Sequence, residues 1–294
     1  RGFQAENDKH AQILSELYDE IRNVMPFKLT LANVSNIGTI MKLYYRFYCH
    51  ENIKNAISYT FGFNSYMEHL SGLVRLIKNK KIAPCTFLLH SSSSSSSLKD
   101  KKTYFKSSYY APLMNERPVK NNIVLNKKAT ITGPNAAGKT TLIKSTLLNI
   151  ILSQQFGYGF YKKAKLVPYQ FVHSYLNIPD TSGRDSLFQA ESRRCREIIT
   201  CLVEHKTKRH FCIFDELYSG TNPYEAVASA YGFIKYLNTF ENVDLLLTTH
   251  YSKLCKLLEA ERVENMHMKI ERTGEGQGQG QQEGQGQQEG QGQQ

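Results

Sequence analysis

Residues 133–140 read GPNAAGKT and fit the pattern Gly-x-x-x-x-Gly-Lys-Ser/Thr. Gly133 and Gly138 let the backbone curl until successive amide groups point inward, which makes a cradle for phosphate oxygens. The preceding KKATI reads as a strand, and the following KTTLIKSTLLNIILSQQ reads as an amphipathic helix whose N-terminus adds partial positive charge. A Gly-rich turn without a ligand is the plainer alternative, and the strand–loop–helix context argues against it. The expected fold is therefore α/β, a P-loop NTPase with a mostly parallel sheet flanked by helices. Gly133, Pro134, Asn135, Ala136, Ala137, Gly138, Lys139, Thr140 and Thr141 are the candidate nucleotide contacts. Among them, Lys139 is suited to the β- and γ-phosphates of ATP, and the Thr140 hydroxyl to magnesium.

Two further strand ends carry chemistry. HFCIFDELYSGTN, residues 210–222, is an apolar strand that ends in two carboxylates. Asp215 is the expected second magnesium ligand, and Glu216 the expected base for the attacking water. An acid pair after a strand is a weak signal by itself and gains weight from the upstream loop. LLLTTH, residues 245–250, ends in His250. Its expected role is a γ-phosphate sensor that also orients the water, although a lone strand-end histidine more often simply faces solvent. Lys139, Glu216 and His250 are thus the expected catalytic set, with Mg²⁺ on Thr140 and Asp215. Between these strands, TSGRDSLFQAESRRCREI (residues 181–198) reads as a capped amphipathic helix with a basic face.

The rest of the chain divides by texture. Residues 1–88 predict helices: Ile13, Leu14, Leu17, Ile21 and Val24 follow helical spacing, as do Ile37, Ile40, Met41, Tyr44 and Tyr48, and Met67, Leu70, Leu73, Val74 and Ile77. Asn36 and Asn64 are the expected N-caps. Residues 89–108, with the run Ser91–Ser97, read as a Ser/Lys-rich linker or as a replaced loop. The α/β part is expected over 109–270, with strands at Ala129–Thr132, Phe211–Phe214 and Val243–Leu247. The Gly/Gln tail, 271–294, has almost no side chains able to form a core and is expected to be disordered.

Composition adds bounds. The net charge is +11, with basic clusters at 78–81, 99–102, 162–165, 193–196 and 206–209. Two readings stand: a polyanion partner, nucleic acid being the commonest, or a soluble surface that is simply basic. The six cysteines are scattered without a Cys-x-x-Cys pair, which argues against a zinc ribbon or a disulfide framework and for a reducing, intracellular compartment. No apolar run approaches the roughly 20 residues of a membrane span, and no secretory leader is visible. The chain opens on Arg1 rather than Met, so a preceding piece is expected.

Taken together, the motifs resemble the ATPase domain of the MutS family, a DNA-repair branch of the ABC-type ATPases. NNIVL followed by ITGPNAAGKTT is similar to the family's Asn-rich lead-in and Thr-Gly-Pro-Asn loop. GRDSLFQAE resembles its Ser-x-Phe-x-x-Glu signature and puts Ser186, Phe188 and Glu191 in matching positions. FDELYSGTNPYEA is similar to its Asp-Glu-x-x-x-Gly-Thr element, TTHYSKL to its switch, and LVPYQF carries the Val-Pro dipeptide found between loop and signature. The likeness spans roughly residues 121–258. It implies composite ATP sites in a dimer, homodimer or heterodimer, with Ser186 reaching the nucleotide bound by the other subunit. It also implies a DNA partner, mismatched or branched, held by a clamp that ATP switches, with residues 1–88 as a lever-like segment and no membrane.

The departures are specific. No Phe-x-Glu wedge triplet is present, Pro118 stands where the family places an aromatic residue against adenine, and Tyr218 and Ser219 replace a common Gly-Arg pair. The Gln/Gly tail stands where the family carries dimerising helices. A fragment, or a divergent and reduced member, fits these features. An ABC-type ATPase of another chromosome-associated machine, or a nucleotide-binding scaffold without turnover, are the alternatives. A transporter signature and long heptads are both missing, and the joint presence of Lys139, Asp215, Glu216 and His250 speaks against a scaffold.

Overall fold

Helical apolar spacing builds the first part of the chain and strand-length apolar runs build the second, and the computed structural model divides accordingly into two compact units, Arg1–Asn79 and Lys80–Gln294. Residues 2–24, 36–88, 102–125, 128–176, 186–272 and 280–281 are described. The Ser91–Ser97 run, the 181–185 segment and nearly all of the tail beyond 272 lie outside them.

The first unit holds α1 (Gly2–Arg22), α2 (Ile37–Cys49) and α3 (Glu51–Lys78). Helix α1 packs on α3 through Leu17, Ile53 and Ala56, with His10 stacked on Tyr59 at 4.3 Å. Asn36 does stand at the N-cap of α2, but its side chain makes no capping bond. Asn64 is not a cap: it lies inside α3, because the apolar period runs unbroken through it from Ile53 to Ile77.

In the second unit the chain runs β1 (Ala83–Phe87), β2 (Thr103–Ser108), β3 (Asn121–Leu125), β4 (Lys128–Thr132), α4 (Lys139–Phe156), β5 (Tyr158–Gly159), β6 (Lys163–Leu166) and β7 (Phe171–Tyr175). It continues with α5 (Leu187–Glu204), β8 (His210–Asp215), α6 (Pro223–Asn238), β9 (Val243–Thr248), α7 (Ser252–Ala260) and β10 (Glu264–His267). A two-residue pairing of Glu271–Arg272 with Gly280–Gln281 follows. Two readings change here. Ala83–Phe87 is strand rather than the end of a helical part, and Thr103–Ser108 is strand rather than linker, because Thr103 and Phe105 alternate inward and are buried.

One sheet has the order β10-β4-β9-β8-β7 and every pairing in it is parallel. Its central strands β8 and β9 are apolar runs buried on both faces, as parallel strands covered by helices must be. A second, mixed sheet has the order β3-β2-β6-β1-β5. Phe105, Ile123 and Leu166 of that sheet, Ile143 and Ile150 of α4, and Ile131 and Ile213 of the parallel sheet form one hydrophobic cluster. Helix α4 is therefore not amphipathic in the expected sense. Its polar Ser145, Thr146, Asn149 and Ser153 are buried as well, and internal bonds satisfy them, among them Thr146 Oγ1 to the Leu142 carbonyl at 2.9 Å and the Phe160 amide to Asn149 Oδ1 at 2.7 Å. The other face of the parallel sheet is covered by α5, α6 and α7 through Ile198, Leu202, Ala230, Ile234, Leu254 and Leu258.

At the β7 edge a histidine pair is buried. Burial, with His210 beside it, pushes His173 down to about 4 and keeps the ring neutral. Asp244 on β9 accepts hydrogen bonds from Tyr169 Oη at 2.7 Å and Arg209 at 2.5 Å. No helix among the described residues is long and apolar enough to cross a membrane.

Candidate nucleotide and magnesium site

Parallel strands deliver their C-terminal ends to one edge of the sheet, which is where ligands gather in open α/β folds. Three of those ends meet here: β4 runs into the loop at 133–138, β8 ends at Asp215, and β9 ends at Thr248, directly opposite Asp215 in register.

The loop's conformation explains its glycines. Gly133 has φ +151, and a Cβ there would stand 2.8 Å from Met268 Cβ and 3.1 Å from the Met268 carbonyl oxygen. Gly138 is left-handed at φ +85 as it opens α4. Pro134, Asn135 and Ala136 are exposed at the loop's crest, whereas Ala137 is buried under it. Lys139 is buried, and its Nζ donates to the carbonyls of Gly133 and Pro134 at 2.9 and 3.0 Å, so the ammonium is held across the loop.

The expected magnesium ligands touch. Thr140 Oγ1 donates to Asp215 Oδ1 and Oδ2 at 3.1 and 2.9 Å, and Thr248 Oγ1 donates to the same Oδ1 at 2.5 Å. Hard oxygen donors converging beside a phosphate loop are the donor set a magnesium ion takes, and the residues present fit it. Sequence reasoning did not name Thr248; only the pairing of β8 with β9 brings it to Asp215.

Glu216 follows in the left-handed region at φ +51, its amide donating to the Thr248 carbonyl at 3.1 Å. Its carboxylate lies 3.7 Å from His250 Nδ1, and both side chains are close to half exposed. His250 packs on Tyr251 at 4.1 Å between ring centroids. Glu216 and His250, expected from separate motifs, thus sit side by side.

The signature helix is tied to the loop after the acid pair. Glu191 on α5, only 2% exposed, accepts from the Ser219 amide and hydroxyl at 3.0 and 3.1 Å and from the Gly220 amide at 3.3 Å. Phe188 packs on Tyr218 at 5.3 Å. Ser186 caps α5 in a reciprocal capping box with Gln189 and is itself exposed.

A cleft of about 250 Å³ opens beside the loop, lined by Tyr110, Pro118, Asn121, Ala136, Gly138 and Thr141 among others. Thr141, expected as a contact, lines it. Asn121 Oδ1 is buried there without a hydrogen-bond partner.

Comparison with known proteins finds relatives of this sequence. The family described as MutS domain V matches residues 129–286. The DNA mismatch repair protein MutS of Persephonella marina is 32% identical over 162 residues, which cover 53% of this chain and 18% of that protein. The MutS proteins of Geobacillus thermodenitrificans and Lactococcus lactis subsp. cremoris are each 31% identical, over 53% and 56% of this chain. The chain spans less than a fifth of the length of these relatives.

Proposed function

The chain belongs to the MutS family by its domain V, and from that premise we propose that it binds and hydrolyses ATP as an ABC-type P-loop ATPase unit of a DNA mismatch repair protein. The observation that carries this reading is the convergence of Lys139, the Thr140–Asp215–Thr248 group and the Glu216–His250 pair at one sheet edge.

In this reading the loop amides and Lys139 bind the triphosphate, with the ammonium turning from the loop carbonyls to phosphate oxygens. Thr140 and Asp215 hold Mg²⁺, which when bound neutralises charge on the β- and γ-phosphates. Glu216 takes a proton from the water that attacks the γ-phosphorus, and His250, next to it, orients that water. The cleft beside the loop takes the base. Pro118 offers a flat apolar wall instead of an aromatic one, and the unpartnered Asn121 Oδ1 can accept from an exocyclic amine such as that of adenine.

Completion of the site by a second subunit, homodimeric or heterodimeric, belongs to the same proposal. The exposed Ser186 at the N-terminus of α5 is placed on a helix end that favours phosphate, which supports its acting on nucleotide bound to a partner. Coupling to a clamp on mismatched or branched DNA, with residues 1–88 as the lever-like segment, is supported by the relatives' role and by the net charge of +11.

The test is steady-state hydrolysis together with nucleotide binding. Glu216→Ala is expected to retain ATP binding and lose about 10²- to 10⁴-fold in turnover. Lys139→Ala is expected to lose binding itself. An unchanged rate in Glu216→Ala would remove the assignment of the base. Stimulation of the wild-type rate by mismatched over perfect duplex supports the DNA clamp, and a rate indifferent to all DNA argues against that coupling in this chain.

A further inference from the structure

At the opposite end of β8 from Asp215, about 17 Å along the strand, His210 opens the strand beside His173 of β7 and Cys201 of α5. The register pairs Phe171 with His210 and His173 with Cys212, so His173 and His210 share the sheet face that α5 covers. Cys201 lies near the C-terminal end of α5, and its Sγ, a ring nitrogen of His173 and a ring nitrogen of His210 all lie within 4.8 Å of one another.

We propose that His173, Cys201 and His210 bind one divalent ion of the zinc class, a structural staple that joins the C-terminal end of α5 to β7 and β8.

Three observations converge on this. The first is spacing. Tetrahedral zinc, with bonds of about 2.0–2.3 Å to nitrogen and sulfur, needs ligand atoms roughly 3.5 Å apart. His173 Nε2 and His210 Nδ1 stand 3.0 Å apart and no pair exceeds 4.8 Å, so side-chain shifts of about 1 Å complete the geometry. The second is orientation. His210 Nε2 lies 3.1 Å from the His205 carbonyl, which can only accept, so that nitrogen carries the proton and the Nδ1 lone pair faces the cluster. The Phe171 ring stacks on His210 at 4.8 Å and on His205 at 4.5 Å, fixing the imidazole plane. The third is the donor set. Two imidazoles and a thiolate suit zinc or cobalt and are poor partners for magnesium, so this centre is chemically separate from the oxygen site at Asp215. Cys201 is only partly buried, which leaves a water path to the fourth position.

Binding balances simply. The Cys201 thiol releases one proton to solvent, and His173 moves its proton from Nε2 to Nδ1 so that Nε2 can ligate. His210 keeps its proton on Nε2. No electron changes hands.

The test uses the full chain after dialysis against a chelator, titrated with Co²⁺. The expected result is a near-ultraviolet thiolate-to-cobalt band that saturates at one equivalent and is abolished by an equivalent of Zn²⁺. Cys201→Ser should lose that band, Cys49→Ser, at an exposed cysteine, should keep it, and His173→Gln should weaken cobalt binding at least tenfold. Far-ultraviolet circular dichroism before metal addition identifies any variant that fails to fold. Zn²⁺ should also raise the melting temperature of the wild type and leave that of Cys201→Ser unmoved. A wild type without the band, or a band that survives Cys201→Ser, overturns the proposal and leaves the pair as a hydrogen-bonded contact between neutral histidines.

Discussion

The helical unit and the α/β unit of this chain treat their apolar side chains in opposite ways. In Arg1–Asn79 the buried hydrophobics among the described residues are Leu17, Ile53 and Ala56, while Met41, Tyr44, Tyr45, Tyr48 and Phe61 are each more than half exposed. In Lys80–Gln294, Phe211, Cys212, Ile213 and Phe214 follow one another on β8 with no exposure at all. Helical periodicity in the first unit forms helices with little core of their own, because a stripe of apolar residues becomes buried only where another surface covers it. Parallel strands cannot form without covers on both faces, so the second unit carries its core with it and can hold a site to within hydrogen-bond distances.

Truncating an aromatic ring in each unit tests that contrast most sharply. Phe214→Ala removes a ring packed against Tyr175 and Phe233 and should cost about 3–5 kcal/mol. Tyr44→Ala removes an exposed ring from α2 and should stay within about 0.5 kcal/mol. Urea denaturation of the two variants reads both numbers. A large loss at Tyr44 would mean that the exposed face of the helical unit is covered in solution.

What was legible in the sequence follows the same division. The loop at 133–140, the apolar strands β4, β8 and β9, and the acids and histidine that end them are local patterns, and the structure brings them together. The mixed sheet was not legible, because its strands are short, two of them (TYFKSS and KAKL) are broken by Lys or Ser, and their partners lie far off in sequence, as with Cys85 against Ala164. Thr248, Asn121 and the His173–Cys201–His210 cluster escaped for related reasons: only strand register sets Thr248 opposite Asp215, the histidines meet Cys201 only once α5 packs on that register, and the burial of Asn121 beside the cleft leaves no local pattern. Asn64 differs: it is an N-cap residue type in the middle of an unbroken period, and the period decides.

Glu191 sharpens the comparison at the level of polar contacts, since the α/β unit also buries a carboxylate to fix a loop. Glu191→Ala strands the Ser219 and Gly220 amides and should cost about 2–3 kcal/mol. Amide exchange at 219 and 220 should accelerate, and turnover should fall with it because the loop begins next to Glu216. Glu191→Gln keeps one acceptor oxygen and should lose roughly half as much. Equal losses in the two variants would mean that the side chain acts by filling space.

A small gain in stability is expected at the strained residue of the site itself. Glu216 sits at φ +51, a conformation that costs an ordinary L-residue roughly 1–2 kcal/mol and that asparagine tolerates. The backbone cannot relax there, since the Glu216 amide is held by the Thr248 carbonyl at 3.1 Å. The carboxylate returns little of this, because its contact with His250 is a partly exposed one at 3.7 Å. Glu216→Asn should therefore raise the urea midpoint by an amount equal to about 0.5–1 kcal/mol while turnover collapses. Stability and catalysis would then move in opposite directions at one residue, as strain kept for function requires. If stability falls instead, the carboxylate is what holds the ends of β8 and β9 together, and the left-handed turn is a consequence of that contact.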